Sequence, residues 1–212
     1  QSGTSDGMFS FPTALAVDST NGFLYVADYS ASRVQKFNLS TGAFIGWLGR
    51  IATGGGTCVA GAGNFTGGWC SGGTSQSGTG NGMFNGSSGL AFDSTYLYVS
   101  ESNNNRIQKF DLTTGAFVGW LGKISVTGGT CLAGANLFTG GWCSGGTATF
   151  GTGDGMFNNA KGLAVDTTNG FLFAADTNNR RIQKFNLSTG AFVGWIGRIL
   201  ATGGSCLAGV GN

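Results

Sequence analysis

The chain has 212 residues, of which 42 are glycine, one is proline and none is histidine; charged residues make up 9% and the net charge is +2. A hydrophobic share of 41% with 12% aromatic residues is too high for a disordered linker, and no apolar run approaches the length of a membrane span. The weak net charge also argues against a nucleic-acid-binding protein, which needs basic excess to neutralise phosphates.

The sequence repeats itself three times. The segment 34–47 returns at 107–120 and again at 182–195, with offsets of 73 and 75 residues. A period of this length is typical of a repeat architecture in which each unit is one packing module. We therefore predict three units, each a blade with a cysteine-containing loop that is truncated in the third: 1–75, 76–148 and 149–212.

Each unit contains four stretches that predict short β-strands. In the first unit they are Ala14–Val17, Phe23–Ala27, Arg33–Phe37 and Ala43–Leu48. The first two are separated by a turn that contains Asn21-Gly22, a strong hairpin signal. No apolar period of 3.6 residues persists, which argues against helices. Four-stranded antiparallel sheets in tandem, with a fourth strand that is apolar on both faces, predict an all-β protein built of β-propeller blades.

The strands also resemble a known repeat family. In the first unit Thr13–Asp18, Phe23–Asp28 and Ser32–Phe37 are similar to an NHL-repeat β-propeller blade, and the other two units match at the same places. Two features differ from the family: proline follows the aromatic residue only at Phe11-Pro12, and each unit carries an extra insertion after its fourth strand. The resemblance implies the propeller fold but not a function, because such propellers serve as binding platforms, enzymes and scaffolds.

Paired cysteines organise the insertion. Cys58 and Cys70 are twelve positions apart, as are Cys131 and Cys143. A metal site is the weaker alternative, since the chain has no histidine and two thiolates cannot complete a tetrahedral site. We predict two disulfide-closed inter-blade loops, each bond contributing about 3 kcal/mol in the chain-entropy model. Disulfides indicate an oxidising compartment, and hence an extracellular or cell-surface location.

The two ends of the chain fall inside the repeat pattern. Cys206 begins a third cysteine pair that the sequence does not complete, and it is predicted to be unpaired in this window. Gln1 aligns with Gln76 and Asn212 aligns with Asn64, both within the first insertion. We therefore expect these residues to be a window cut from a longer tandem array, because three blades cannot close a ring.

Charged residues recur once per unit at the strand ends. Asp18, Asp28 and Arg33 each have counterparts in the other two units. Because a catalytic site should be singular, we interpret these residues as structural pairs and turn caps. The absence of histidine excludes the common nucleophilic triads from these residues, and the Asn-rich turns 102–105 and 177–179 hold too few acids for a tight calcium site. We predict no enzyme activity, no catalytic or metal-binding residue and no cofactor.

Two tryptophans and four asparagines are candidate contact or modification sites. Trp69 and Trp142 each lie in a Gly-Gly-Trp-Cys segment. Exposed on a loop, they can stack on a sugar or anchor a protein partner; the alternative is that they fill a small core under the disulfide. Sequons for glycosylation occur at Asn38, Asn64, Asn85 and Asn186.

The fourth strand would form an outer sheet edge without the lysine or proline that usually blocks edge pairing. We expect the disulfide loop of the same unit, another chain or a glycan to cover it. Near-identical repeats and scarce charge favour a secreted or cell-surface structural scaffold, part of a larger propeller, filament or adhesin, whose partners are other copies of itself or further blades. The alternative is a propeller platform that binds a glycan or protein through Trp69 and Trp142. We expect no nucleic-acid partner and no membrane insertion.

Overall fold

The structure, a computed structural model, describes residues 2–131 and 133–197. Within these ranges the protein is all-β and forms three antiparallel sheets, in which strands pair with their neighbours in chain order. No helix in the described ranges is long and apolar enough to cross a membrane. The predicted unpaired Cys206 lies outside the described residues.

The sheets follow the three sequence repeats, here called units one, two and three. The sheet of unit one contains β1 (Pro12–Asp18), β2 (Phe23–Asp28), β3 (Arg33–Asn38), β4 (Phe44–Thr53) and β5 (Thr74–Gln76). The sheet of unit two contains β6 (Ser87–Phe92), β7 (Tyr96–Glu101), β8 (Arg106–Asp111), β9 (Phe117–Val126) and β10 (Thr147–Thr149). The sheet of unit three contains β11 (Ala160–Asp166), β12 (Phe171–Asp176), β13 (Arg181–Asn186) and β14 (Phe192–Gly197).

Acidic caps set the turn between the first two strands of each sheet. The Asp18 carboxylate accepts hydrogen bonds from the backbone and side-chain amides of Asn21 at 2.9 and 2.8 Å. In unit two, where the turn is shorter, Asp93 accepts from the backbone N–H groups of Thr95 and Tyr96 at 2.7 Å. The same acid therefore closes turns of two different lengths, and the paired strands keep their registers.

Up to residue 197 unit three forms the predicted four-stranded blade, whereas the prediction is incomplete for units one and two, where a fifth strand follows. The fourth strand β4 runs past the predicted end at Leu48, and the insertion returns to pair with it, with Gln76 opposite Arg50. Nearer the start of β4, Trp47 forms an antiparallel bridge with Cys70 of the insertion. The disulfide loop of the same unit thus covers the outer edge of the sheet.

The apolar core lies mainly between the sheets. One cluster joins the Tyr25, Val34 and Leu48 face of unit one to Leu97 and Phe110 of unit two. A second cluster joins the equivalent face of unit two to unit three. The units therefore pack face to face, as the fourth strand with two apolar faces predicts.

Candidate functional site: the junction between blades

Each described insertion is closed by a disulfide over a tryptophan of the fourth strand. Cys58 is bonded to Cys70, with Cα atoms 5.1 Å apart, and both cysteines pack on the fully buried side chains of Trp47 and Ile51. The Trp47 indole Nε1 donates to the Gly72 carbonyl at 3.1 Å. This hydrogen bond satisfies the polar atom of the ring inside the loop.

Unit two repeats this core. Cys131 is bonded to Cys143 over the buried side chains of Trp120 and Ile124, and Trp120 Nε1 donates to the Gly145 carbonyl at 3.0 Å. The small core under the disulfide therefore belongs to Trp47 and Trp120.

Trp69, one of the two candidate contact residues, lies half-buried between units one and two. Its backbone N–H donates to the Thr114 carbonyl at 3.0 Å, and its indole Nε1 donates to the Leu112 carbonyl at 3.3 Å. Gly115 of unit two has φ of +76°, and a Cβ there would lie 2.7 Å from the Trp69 nitrogen. Glycine is therefore needed both for the backbone conformation and for the close approach of the loop.

Trp142 makes the same contacts with unit three. Its backbone N–H donates to the Thr189 carbonyl at 3.0 Å and its indole Nε1 to the Leu187 carbonyl at 3.1 Å. Gly190 takes the place of Gly115, with a would-be Cβ 2.7 Å from the Trp142 nitrogen. The two tryptophans are thus engaged between blades, and neither fills the core beneath its disulfide.

A lysine lies beside each of these indoles. Lys36 is mostly buried, and its Nζ is 3.8 Å from the Phe23 ring centroid, 5.3 Å from that of Trp69 and 5.6 Å from that of Tyr25. An ammonium group near several aromatic faces is stabilised by cation–π attraction. Burial lowers the pKa of Lys36, and the charge of Asp18 opposes this shift.

Lys109 occupies the same position in unit two. Its Nζ is 3.8 Å from the Tyr96 ring centroid and 5.2 Å from that of Trp142. Burial likewise lowers the pKa of Lys109, against the charge of Asp93. The insertion of unit one and that of unit two therefore each place a tryptophan beside the buried lysine of their own unit. The same tryptophan donates hydrogen bonds to the following unit.

A cavity opens beside each lysine. The cavity at the first junction measures about 260 Å³ and is lined by Asp18, Tyr25 and Lys36 among others. The buried Tyr25 hydroxyl finds no hydrogen-bond partner among the described residues. Burial, with a smaller effect of Asp18, raises the pKa of Tyr25. A carboxylate can accept hydrogen bonds from the hydroxyl groups of a polar molecule, an ammonium group can donate to them, and a phenol can do both.

The equivalent cavity at the second junction measures about 350 Å³. There the Tyr98 hydroxyl donates to Asp93 Oδ2 at 2.8 Å. Burial and this hydrogen bond raise the pKa of Tyr98. The two junctions therefore differ at this tyrosine, because its hydroxyl has a hydrogen-bond partner among the described residues only at the second junction.

A buried charge cluster holds the segment that leads into each blade, and in unit two it centres on Glu101. This carboxylate accepts from Arg106 Nε at 2.5 Å, from Gln108 Nε2 at 2.8 Å and from the Asn85 backbone N–H at 2.9 Å. Burial raises the pKa of Glu101, while the Arg106 charge and the hydrogen bonds to the carboxylate oppose this rise. These donors are what a buried carboxylate needs to be tolerated.

The same cluster positions an aromatic residue of the junction. Arg106 donates to the Gly80 and Met83 carbonyls at 2.8 and 2.9 Å. Gln108 donates to the Met83 carbonyl at 2.8 Å and accepts from the Gly82 backbone N–H at 2.8 Å. These contacts fix the backbone that places Phe84, fully buried, in the apolar core between units one and two.

The acid–arginine pair of unit three is similar to that of unit two, and the pair of unit one is looser. Arg181 Nε lies 2.8 Å from Asp176 Oδ2, whereas Arg33 Nε lies 3.7 Å from Asp28 Oδ2 and has no hydrogen-bond partner among the described residues. Asp28 accepts instead from the backbone N–H of Phe11 at 2.8 Å. The recurring charges thus hold backbone segments in place.

Sequence reasoning missed the glutamine of this cluster. Gln35, Gln108 and Gln183 each donate to a methionine carbonyl and accept from a glycine N–H. The available signal was their recurrence in the three copies of Gln-Lys-Phe. A buried polar side chain that recurs in every unit indicates a hydrogen-bonded role.

The four sequon asparagines lie in different surroundings. The Asn38 side-chain oxygen accepts from the Thr41 backbone N–H at 2.9 Å, and Asn186 does the same in unit three. Asn64 is exposed. The sequon of Asn85 contains Ser87, which is fully buried and donates to the Arg33 carbonyl at 3.2 Å. Glycosylation at these positions stays a prediction.

The Asn-rich turns use their side chains within the protein. Asn104 Nδ2 donates to Glu101 Oε1 at 2.6 Å, and Asn179 Nδ2 donates to Asp176 Oδ2 at 2.9 Å. In the part of the chain that the structure describes, no three His, Cys, Asp or Glu side chains are grouped so that they could hold a metal ion.

Solved structures share this architecture. The chain is similar to U3-55K and to the WD40 repeats of RRP9, each with 12% identity over 88% of this chain and a TM-score of 0.50. It is also similar to hydrazine synthase of Kuenenia stuttgartiensis, with 9% identity over 93% of this chain and a TM-score of 0.53. The chain spans 39%, 38% and 37% of these three structures. Since the identities are low, these likenesses show the fold alone: the three sheets are blades of the β-propeller class.

A family model described as NHL repeat matches residues 9–37 and 157–185, in units one and three. No curated protein matches the sequence. These two matches confirm the resemblance to NHL repeats seen in the sequence.

Proposed function

We propose that this chain is a secreted or cell-surface structural scaffold in which each insertion fastens its own NHL-type blade to the next one. The observation that carries the proposal is the repetition of one contact. Trp69 and Trp142, about one unit apart, donate the same two hydrogen bonds to equivalent carbonyls of the following blade. A contact copied with the repeat serves the connection between units, whereas a catalytic site is expected once.

The disulfides support an extracellular setting. Cys58–Cys70 and Cys131–Cys143 close both described loops, and bonds of this kind persist mainly in oxidising compartments. The loops they stabilise are the ones that carry Trp69 and Trp142. In units one and two the loop that is closed by the disulfide is therefore also the loop that contacts the next blade.

Immunogold electron microscopy of the producing cells tests this proposal. Antibodies raised against the 212-residue chain should label continuous material outside the cell or on its surface. Non-reducing peptide mapping of the labelled material should recover the Cys58–Cys70 pair intact. Labelling confined to the cell interior, or free thiols at these positions, would contradict the proposal.

A second function, a binding platform for a glycan, is favoured by the unsatisfied Tyr25 hydroxyl in the cavity with Lys36 and Asp18. Because Trp69 and Trp142 are engaged between blades, such a platform would use these cavity residues. A glycan array probed with the intact chain tests this function, with Tyr25→Phe as the variant and Tyr98→Phe as its counterpart at the other junction. If the intact chain retains no glycan, this second function is excluded.

A further inference from the structure

The cavity at the first junction contains a buried phenol that lacks the acceptor its counterpart uses. At the second junction the Tyr98 hydroxyl donates to Asp93 Oδ2 at 2.8 Å. At the first junction Asn21 Nδ2 donates to Asp18 Oδ2 at 2.8 Å. The fully buried Tyr25 hydroxyl has no hydrogen-bond partner among the described residues. The asparagine therefore occupies the oxygen that corresponds to the acceptor of Tyr98.

The difference follows from the length of the turn between the first two strands. In unit two this turn is two residues shorter than in unit one, and it has no counterpart of Asn21. Asp93 Oδ1 there accepts from the two N–H groups of the turn, which leaves Oδ2 to Tyr98. The longer turn of unit one thus leaves an unpaired hydroxyl beside the first cavity.

Lys36 supplies a second donor to this cavity. It is only 6% exposed, and its Nζ lies near the rings of Phe23 and Trp69. Among the described residues no acid forms a salt bridge with it. A buried ammonium group without a paired acid and a buried phenol without an acceptor both favour a ligand that supplies an acceptor.

The charges around the cavity favour a neutral ligand. The lining contains one acid, Asp18, and one cation, Lys36, so the acid repels an anionic ligand and the lysine repels a cationic one. The Asp18 carboxylate accepts two hydrogen bonds, both from Asn21, and an ionised carboxylate has room for about four. The cavity thus offers two donors and one acceptor to an uncharged polar group.

Apolar side chains and size narrow the choice of ligand further. Phe23 and Leu112 line the cavity beside Tyr25, and they form an apolar wall that favours a methyl group. The volume of about 260 Å³ lies just below the usual range for pockets that hold drug-sized ligands. The cavity therefore holds a single sugar residue rather than several.

We infer that this cavity binds one N-acetylhexosamine residue through its acetamido group. The acetamido carbonyl accepts from Lys36 Nζ and from the Tyr25 hydroxyl. The acetamido N–H donates to Asp18, and the methyl group packs against Leu112. The inference rests on the second proposed function, the glycan platform, and names its ligand. The second junction lacks this site, because its phenol already donates to Asp93.

Isothermal titration calorimetry of the intact chain with N-acetylglucosamine tests the inference. One sugar should bind per chain. Glucose and glucuronate should each bind at least about tenfold more weakly, because neither carries the acetamido group. N-acetylglycine amide, which carries an acetamido group without a sugar ring, should also bind more weakly.

Tyr25→Phe is the test variant, because Phe173 occupies the same position in unit three opposite the equivalent lysine. Removing the hydroxyl should weaken binding about tenfold. Tyr98→Phe is the matched control and should leave binding unchanged, and circular dichroism should show the same fold in both variants. The NMR signal of the Trp69 indole N–H should shift with the sugar, since the Trp69 and Tyr25 ring centroids are 5.6 Å apart.

Three results would overturn the inference: no binding of N-acetylglucosamine, equal binding of glucose, glucuronate or N-acetylglycine amide, or an equal loss of binding in the two variants. The glycan array separates this failure from failure of the platform. An array on which the chain retains only sugars without an N-acetyl group supports the platform and overturns the inference. An array that retains nothing excludes both.

Discussion

Units one and two each use two tryptophans near their disulfide loop, one in the fourth strand and one in the insertion, and the two have different roles. Trp47 and Trp120 are fully buried and hydrogen-bonded inside their own disulfide loops. Trp69 and Trp142 are half-buried and hydrogen-bonded to the next blade. The first pair builds a unit and the second pair joins two units. Substitutions at the two kinds of tryptophan can therefore measure the stability of a unit and the coupling between units separately.

Replacing Trp120 by alanine should have the largest effect. The variant loses a fully buried indole, leaves the Gly145 carbonyl without its donor, and should be destabilised by about 5 kcal/mol. Trp142→Ala is the matched comparison and should cost about 2 kcal/mol, because its ring is only half-buried. Urea denaturation gives both values. Hydrogen exchange should rise within the loop 127–146 for Trp120→Ala, and at 187–190 of unit three for Trp142→Ala. Equal effects of the two variants on unit three would contradict the division between them.

Removing the buried acid of unit two should have the next largest effect. Glu101→Ala leaves Arg106 and Gln108 without their acceptor inside the protein, and loss of one partner of a buried pair costs about 3–4 kcal/mol. Glu101→Asp is the control, since aspartate holds this position in the other two units. It should fold and lose much less stability, as measured by urea denaturation. If alanine and aspartate were equally tolerated, the cluster would not hold Phe84 in the junction.

Opening one disulfide sharpens the same comparison from the loop side. The double variant Cys58→Ser with Cys70→Ser should lose about 3 kcal/mol. Because Trp69 precedes Cys70, the Trp69 backbone N–H, which donates to the Thr114 carbonyl of unit two, should also lose protection from hydrogen exchange. The same double change at Cys131 and Cys143 is the control and should move the effect to the Trp142 backbone N–H. Unchanged protection of the Trp69 and Trp142 N–H groups in the respective variants would show that the disulfide does not support the junction.

The smallest effect is expected at the turn before the fourth strand, which is capped by an aspartate in unit two and by an asparagine in unit one. Asp111 accepts from the Thr113 and Thr114 N–H groups, and these hydrogen bonds, with that of the Thr114 hydroxyl, lower its pKa. Asn38 accepts the equivalent bonds in unit one. Asp111→Asn should therefore change stability at pH 7 by less than about 0.5 kcal/mol.

The pH dependence of that variant has a definite sign. Since the pKa of Asp111 is lower in the folded than in the unfolded state, its contribution is present above the unfolded value, near about 3.9. The contribution is lost as the pH falls through the folded-state pKa. The stability of the original chain relative to Asp111→Asn should therefore fall over this acidic range. Thermal melts from pH 6 to pH 2 measure it, and a relative stability of the original chain that rose with acid would contradict the assignment.

The strands, turns and loop disulfides were predictable because their signals are local. Asn21-Gly22 marks a hairpin, and Cys58 and Cys70 pair across twelve positions. The partners of Trp69 were not predictable, since its indole donates to a carbonyl 43 residues later, in another unit. The fifth strand was missed for a similar reason: Thr74–Gln76 is too short to show a period, and its pairing with β4 is set by the loop that precedes it.

The burial of basic side chains has a consequence for digestion by proteases that cut after lysine or arginine. Arg33, Lys36, Arg106 and Lys109 are buried within units one and two. Among the basic residues that the structure describes, only Lys161 and Arg180, both in unit three, are largely exposed. Such enzymes need an accessible and locally flexible segment, so the first cuts should fall in unit three. The two preceding units would then persist as a resistant fragment.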